Sequence, residues 1–134
     1  MSRIGWTRVP VIAANTNRDG SGTVYEITAT EGLGRLYVDR IVCQSMGTNV
    51  GTEAVIIASN GQGVGDPRNN YILGNADLAA TTIGTALATD IVTFTIDAWL
   101  PADTELFALV HDAQAAGRQF VAYSDPSYQA KTYP

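Results

Sequence analysis

The stretch Asn15-Thr16-Asn17-Arg18-Asp19-Gly20-Ser21-Gly22, running on into Thr23-Val24-Tyr25-Glu26, is where residue types and spacing come closest to chemistry. Counted from Asn15, side-chain oxygens fall at the first, third and fifth places, a glycine at the sixth and a glutamate at the twelfth, the offsets of an EF-hand calcium loop. Asn15, Asn17, Asp19 and Glu26 are therefore the weak candidate metal ligands. Against Ca2+ stand Asn in place of Asp at the first position, Gly22 where a hydrophobe is usual, and Arg18 inside the loop. A strand through Glu26 would also carry its carboxylate away at ~3.3 Å per residue instead of wrapping it back. The octet is expected to be a set of Asx turns with Gly20 and Gly22 at positive φ, holding no metal and no other cofactor.

Other reactive side chains are sparse. His111 is the one histidine, and on a strand it and Asp112 would point to opposite faces, so they cannot form an orienting couple for a nucleophile. Asp39, Asp97 and Glu105 carry no motif for glycoside hydrolysis. Asn60-Gly61-Gln62-Gly63-Val64-Gly65 lacks the Gly-Lys-Ser/Thr ending of a phosphate loop. Cys43, the one cysteine, lies in the apolar run 38–46 and reads as a small buried hydrophobe. No catalytic residue is expected.

The elements that must position these residues read as strands. Thr23–Ala29, Arg35–Ser45, Glu53–Ser59, Tyr71–Ala79, Ile91–Trp99, Thr104–Asp112 and Gln119–Ser124 are β-rich runs bounded by Gly, Pro, Asn and Asp, and Pro10–Ala14 reads as a first edge strand. Tyr71–Ala79 is expected to break at Gly74-Asn75, and 35–45, apolar on both faces, to be buried on both sides or bent by a bulge. About eight strands with no amphipathic helix predict an antiparallel β-sandwich or jelly roll over 10–125. Residues 1–9 are expected to be an N-terminal arm and 126–134 a C-terminal tail. Trp6 and Arg8 on the arm, and Tyr128 and Tyr133 on the tail, are the candidate partner contacts.

Composition narrows the partners. The net charge is -5, and the eight basic residues are scattered without a cluster to follow a phosphate backbone, so neither nucleic acid nor an anionic membrane is expected. The first residues lack a secretion signal's apolar core, and synthesis in a cytoplasm is expected.

The run NTNRDGSGTVYEIT, the strands DRIVCQSMGT and VIIASNG, and LPADTELFALVHDAQAAGRQFVAYSDPS resemble small virion proteins of tailed phages and prophages over residues 10–125. In that group an Asn-Arg-Asp-Gly-x-Gly turn precedes a β-sandwich and a late Leu-Pro segment leads into the final strand pair. The resemblance implies a virion structural protein of jelly-roll type, foremost a capsid cement or decoration protein. Such a protein sits as a homotrimer outside the shell and clamps the major capsid protein. The alternative is a tail or fibre module that binds host-surface glycans through exposed aromatics and the 15–26 loop.

Overall fold

β-branched and aromatic residues in short alternating runs cannot bury one face alone, so the runs pair and then stack. The computed structural model describes residues 2–29, 35–82 and 91–124. Among these residues run eight strands: β1 (Ser2–Trp6), β2 (Tyr25–Ala29), β3 (Leu36–Ser45), β4 (Thr52–Ser59), β5 (Asn70–Leu78), β6 (Ile91–Leu100), β7 (Glu105–Val110) and β8 (Arg118–Ser124). A 3₁₀ turn at Pro67–Asn69 leads into β5. One sheet has the order β1-β8-β3-β6 and the other β2-β7-β4-β5, with all pairings antiparallel. First pairs with last, second with seventh, third with sixth and fourth with fifth. That is a long antiparallel ribbon rolled into two layers, the jelly roll expected from the strand count.

Two elements near the N-terminus differ from expectation. Ser2–Trp6, expected within an arm, is an edge strand of the first sheet, paired with β8 through a bulge between Arg3 and Gly5. The bulge breaks the alternation, leaving Ile4 packed against the core while Trp6 stands exposed. Pro10–Ala14 is no strand. It crosses between the sheets on two isolated bridges, Val11 to Arg118 and Ala14 to Val110. The expected tail 126–134 lies outside the described residues.

The main core fills the space between the layers, with Ile41, Ile56, Leu106, Phe94 and Phe120 among its members. The apolar two-sidedness of β3 comes from a register shift between Val38 and Arg40, opposite which Asp97 takes φ 45°. Val38 points into the core before the shift and Ile41 and Cys43 after it. Outside, Tyr37 packs on Trp99 with ring centroids 5.5 Å apart and donates its hydroxyl to the Asp97 carboxylate. β5 runs unbroken through Gly74, where a bulge absorbs Leu73 and Gly74 brings the backbone close to Phe94.

Burial pushes the Cys43 thiol up to about 12 from its ordinary 9.0, the nearby Arg118 charge opposing only in part. Two outcomes follow. The native thiol should resist Ellman's reagent at pH 8 while the urea-unfolded chain reacts at once; rapid native labelling would refute its burial. Between pH 9.0 and about 12 the unfolded chain releases a proton that the folded chain keeps, so this group lowers stability as pH rises through that window.

Candidate functional site

The Asn15–Gly22 segment begins where Asn15 N donates to Val110 O at the end of β7. It then folds over the outer face of the second sheet. There Val55, Ile57, Phe107 and Leu109 form a second apolar cluster, completed by Val24 and by Val64 of the β4–β5 loop. This explains why β4 is apolar on both faces: alternate residues serve two cores. The segment acts as a flap over the outer one.

Asn15 and Asp19 turn their side chains back onto neighbouring residues of the same stretch. Asn15 Oδ1 accepts from Asn17 N at 2.9 Å, while Asn15 Nδ2 donates to Ser21 O at 2.9 Å and Thr23 O at 2.6 Å. Asp19 Oδ1 accepts from Ser21 Oγ and Ser21 N, and these bonds hold its carboxyl below the usual value. Gly20 and Gly22 take φ 91° and 82°. Glu26 lies on β2 opposite Phe107 and lines a different groove, so the four candidate metal ligands do not converge on one point. Among the described residues no group of three or more His, Cys, Asp or Glu side chains could share an ion.

The middle of the flap is anchored by two adjacent residues. Arg18 pairs with Glu53 of β4 at 3.1 Å, and Asn70 Nδ2 donates to Asp19 O at 2.9 Å and to Val64 O at 2.7 Å, tying flap to β4–β5 loop. The Gly-rich loop 60–65 likewise bonds internally, Gln62 N to Asn60 Oδ1 and Asp66 N to Gly63 O. Its role is to carry Val64 onto the outer cluster.

A groove of about 540 Å³ lies where the edge strands β1 and β2 face each other. It brings together Trp6 and Arg8, the partner-contact candidates, with Glu26, Tyr25, Ile4 and Val9. Trp6 is 53% exposed, Val9 57% and the nearby Ile12 47%, although Val11 between the last two is fully buried and bonded to Arg118. Tyr25 stiffens the ledge by accepting from Ala13 N at 3.1 Å. Val9 and Ile12 escaped the sequence reading because Val9 falls without a role in the expected 1–9 arm and Ile12 in the strand expected over 10–14; both stand exposed about the segment that crosses between the sheets. Tyr128 and Tyr133 lie outside the described residues.

The end of the sandwich beside this ledge is knitted by two buried polar side chains. Asn49 Nδ2 donates to Ser45 Oγ and Gly117 O, each at 2.8 Å, and its Oδ1 accepts from Gly117 N at 2.8 Å and Ala116 N at 3.0 Å. Arg118, 1% exposed, donates from Nε to Gln114 Oε1 at 2.9 Å and from Nη2 to Val50 O at 3.1 Å and Ala79 O at 2.8 Å. His111, expected half-buried on a strand, lies exposed just beyond β7, its backbone N donating to Glu53 O. No family model matches the chain, and comparison with curated proteins and with solved structures gave no match either.

Proposed function

We propose that the chain is a virion structural protein, a capsid cement protein that seats on the outer shell against the major capsid protein as a homotrimer. The observation that supports this reading is the apolar ledge of Trp6, Val9 and Ile12 beside the β1–β2 groove. Three large apolar side chains within seven residues, flanked by Arg8 and Glu26, have the make-up of an interface centre with a polar rim. The reading rests on this site and on the sequence resemblance, because a jelly roll hosts many unrelated functions. The protein would work without chemistry, stabilising the assembled shell by mass action as it adds buried interface.

The test is co-sedimentation with assembled capsids of the same virus. Deleting residues 1–9 would remove β1 and with it the bond from Phe120 N to Thr7 Oγ1, so point substitutions are the better probe. Trp6→Ala and Val9→Ser should leave the melting temperature nearly unchanged, and Trp6→Ala should weaken capsid attachment by at least about 30-fold, an interface anchor's ~2 kcal/mol. Unchanged attachment would sink the proposal. Recovery of the protein with tails instead of heads would favour the tail or fibre module.

A further inference from the structure

β6 ends the first sheet on the side away from β1, and among the described residues no strand pairs with its outer edge. We infer that this edge pairs with β6 of a second copy of the chain, antiparallel and centred on Phe94, so that two first sheets join into one across a two-fold axis. The contact lies across the sheet from β1, uses no residue of the β1–β2 groove and does not rest on the capsid reading.

An edge strand presents a row of backbone N–H and C=O groups that templates another extended segment, and folds ordinarily blunt such edges with short strands, bulges, charges or proline. Among the described residues the other three sheet edges are blunted. β1 and β2 are five residues long and each carries a bulge, and β5 is bulged beside Gly74 and bears Asp77. β6 has no such protection over its first half. From Ile91 to Thr95 it runs in unbroken register beside β3, and Ile91-Val92-Thr93-Phe94-Thr95-Ile96 holds no charged residue, glycine or proline. Asp97, at φ 45°, ends the regular stretch.

The residues of this edge select a copy of themselves. Val92-Thr93-Phe94-Thr95-Ile96 reads nearly the same in both directions. Paired antiparallel about Phe94, it sets Thr93 of each chain opposite Thr95 of the other on the outer face, and Val92 opposite Ile96 on the core face. Threonine pairs are favourable across antiparallel strands, and no like charges meet. Burial fits the same arrangement. Thr93 and Thr95 are exposed, whereas Val92 and Ile96 pack on the core yet stay half-buried at a strand with a neighbour on one side alone. A second β6 would cover their open flanks.

The experiment joins sedimentation of the intact chain, at up to about 100 μM, with disulfide trapping. A mixture of Thr93→Cys and Thr95→Cys chains should oxidise to a covalent dimer about tenfold faster than either variant alone, because the two positions face each other across the axis while like positions lie on the diagonal. Cys43 is buried and does not compete. The double variant Thr93→Lys/Thr95→Lys brings like charges face to face; both positions are exposed, so it should keep nearly the parent melting temperature while its dimer dissociation constant rises about tenfold or more. A chain that sediments as a monomer throughout, assembly with three-fold symmetry alone, single variants that trap as fast as the mixture, or a lysine variant that dimerises like the parent would each overturn the inference.

Discussion

Replacing Arg118 by alanine is expected to cost about 3–5 kcal/mol and to lower the melting temperature by roughly 10–20 °C. The guanidinium is 1% exposed and reaches three loops at once: Gln114 before β8, Val50 before β4 and Ala79 after β5. Hydrogen bonds from a charged donor contribute about 1.5–3 kcal/mol each, but burying the charge costs several kcal/mol, so the three bonds do not sum to their face value. What makes the alanine variant worse is what it leaves behind. The carbonyls of Val50 and Ala79 would be left without this donor, and the space vacated by the side-chain stem adds a cavity term. Arg118→Met separates the two effects, since it retains the stem and removes every donor; it should lose about 2 kcal/mol, near the cost of the orphaned acceptors alone. Urea unfolding measures both. A methionine variant as stable as the parent would mean that the bonds merely repay desolvation, and that Arg118 fixes loop positions without net stabilisation.

How far this architecture is written in the sequence follows from the period of each element. Ile91–Leu100 announces itself because Phe94 is buried where Thr93 and Thr95 are exposed, a two-residue period undisturbed over most of the strand. Ser2–Trp6 does not. Its bulge at Ile4 spoils the period within five residues, and its strand character depends on β8, more than a hundred positions away in the chain. The outer apolar cluster was equally hidden: Glu53–Ser59 shows apolar residues on both faces, yet nothing local says that the second face is covered by the chain's own flap.

The candidate sites divide the same way. The Asx-turn reading of Asn15–Gly22 was legible because side-chain to backbone bonds over two residues are set by local sequence. The grooves were not. Trp6 and Arg8 meet Glu26 because rolling the ribbon sets the edges of two different sheets side by side, and Arg18 and Asp19 meet Ile72 because the flap crosses β4 to reach β5. Those are properties of strand order, which spacing along one sequence does not encode.

The flap supplies the second large effect, at Gly20. Alanine there should cost about 3 kcal/mol, from a left-handed penalty of about 1–2 kcal/mol and the loss of two hydrogen bonds at about 1 kcal/mol each. Gly20 has φ 91°, and a Cβ built on it would lie 2.4 Å from Asn70 Nδ2 and 3.2 Å from Ile57 Cγ2. The side chain of Asn70 can swing aside only by giving up its bonds to Asp19 O and Val64 O, the links between the flap and the β4–β5 loop. Lifting the whole flap is the costlier response, because it exposes Val55, Ile57, Phe107 and Leu109, each worth about 1.5–3 kcal/mol when fully buried. The variant should therefore stay folded with its flap down and Asn70 displaced, a state that a double-mutant cycle identifies. In an Asn70→Ala background, Gly20→Ala should cost only its backbone term, about 1–2 kcal/mol, giving a coupling of about 1–2 kcal/mol. Strict additivity would show that the two residues do not contend for the same space. Faster hydrogen exchange at Val55 and Leu109, or binding of an apolar dye, would show instead that the flap had lifted.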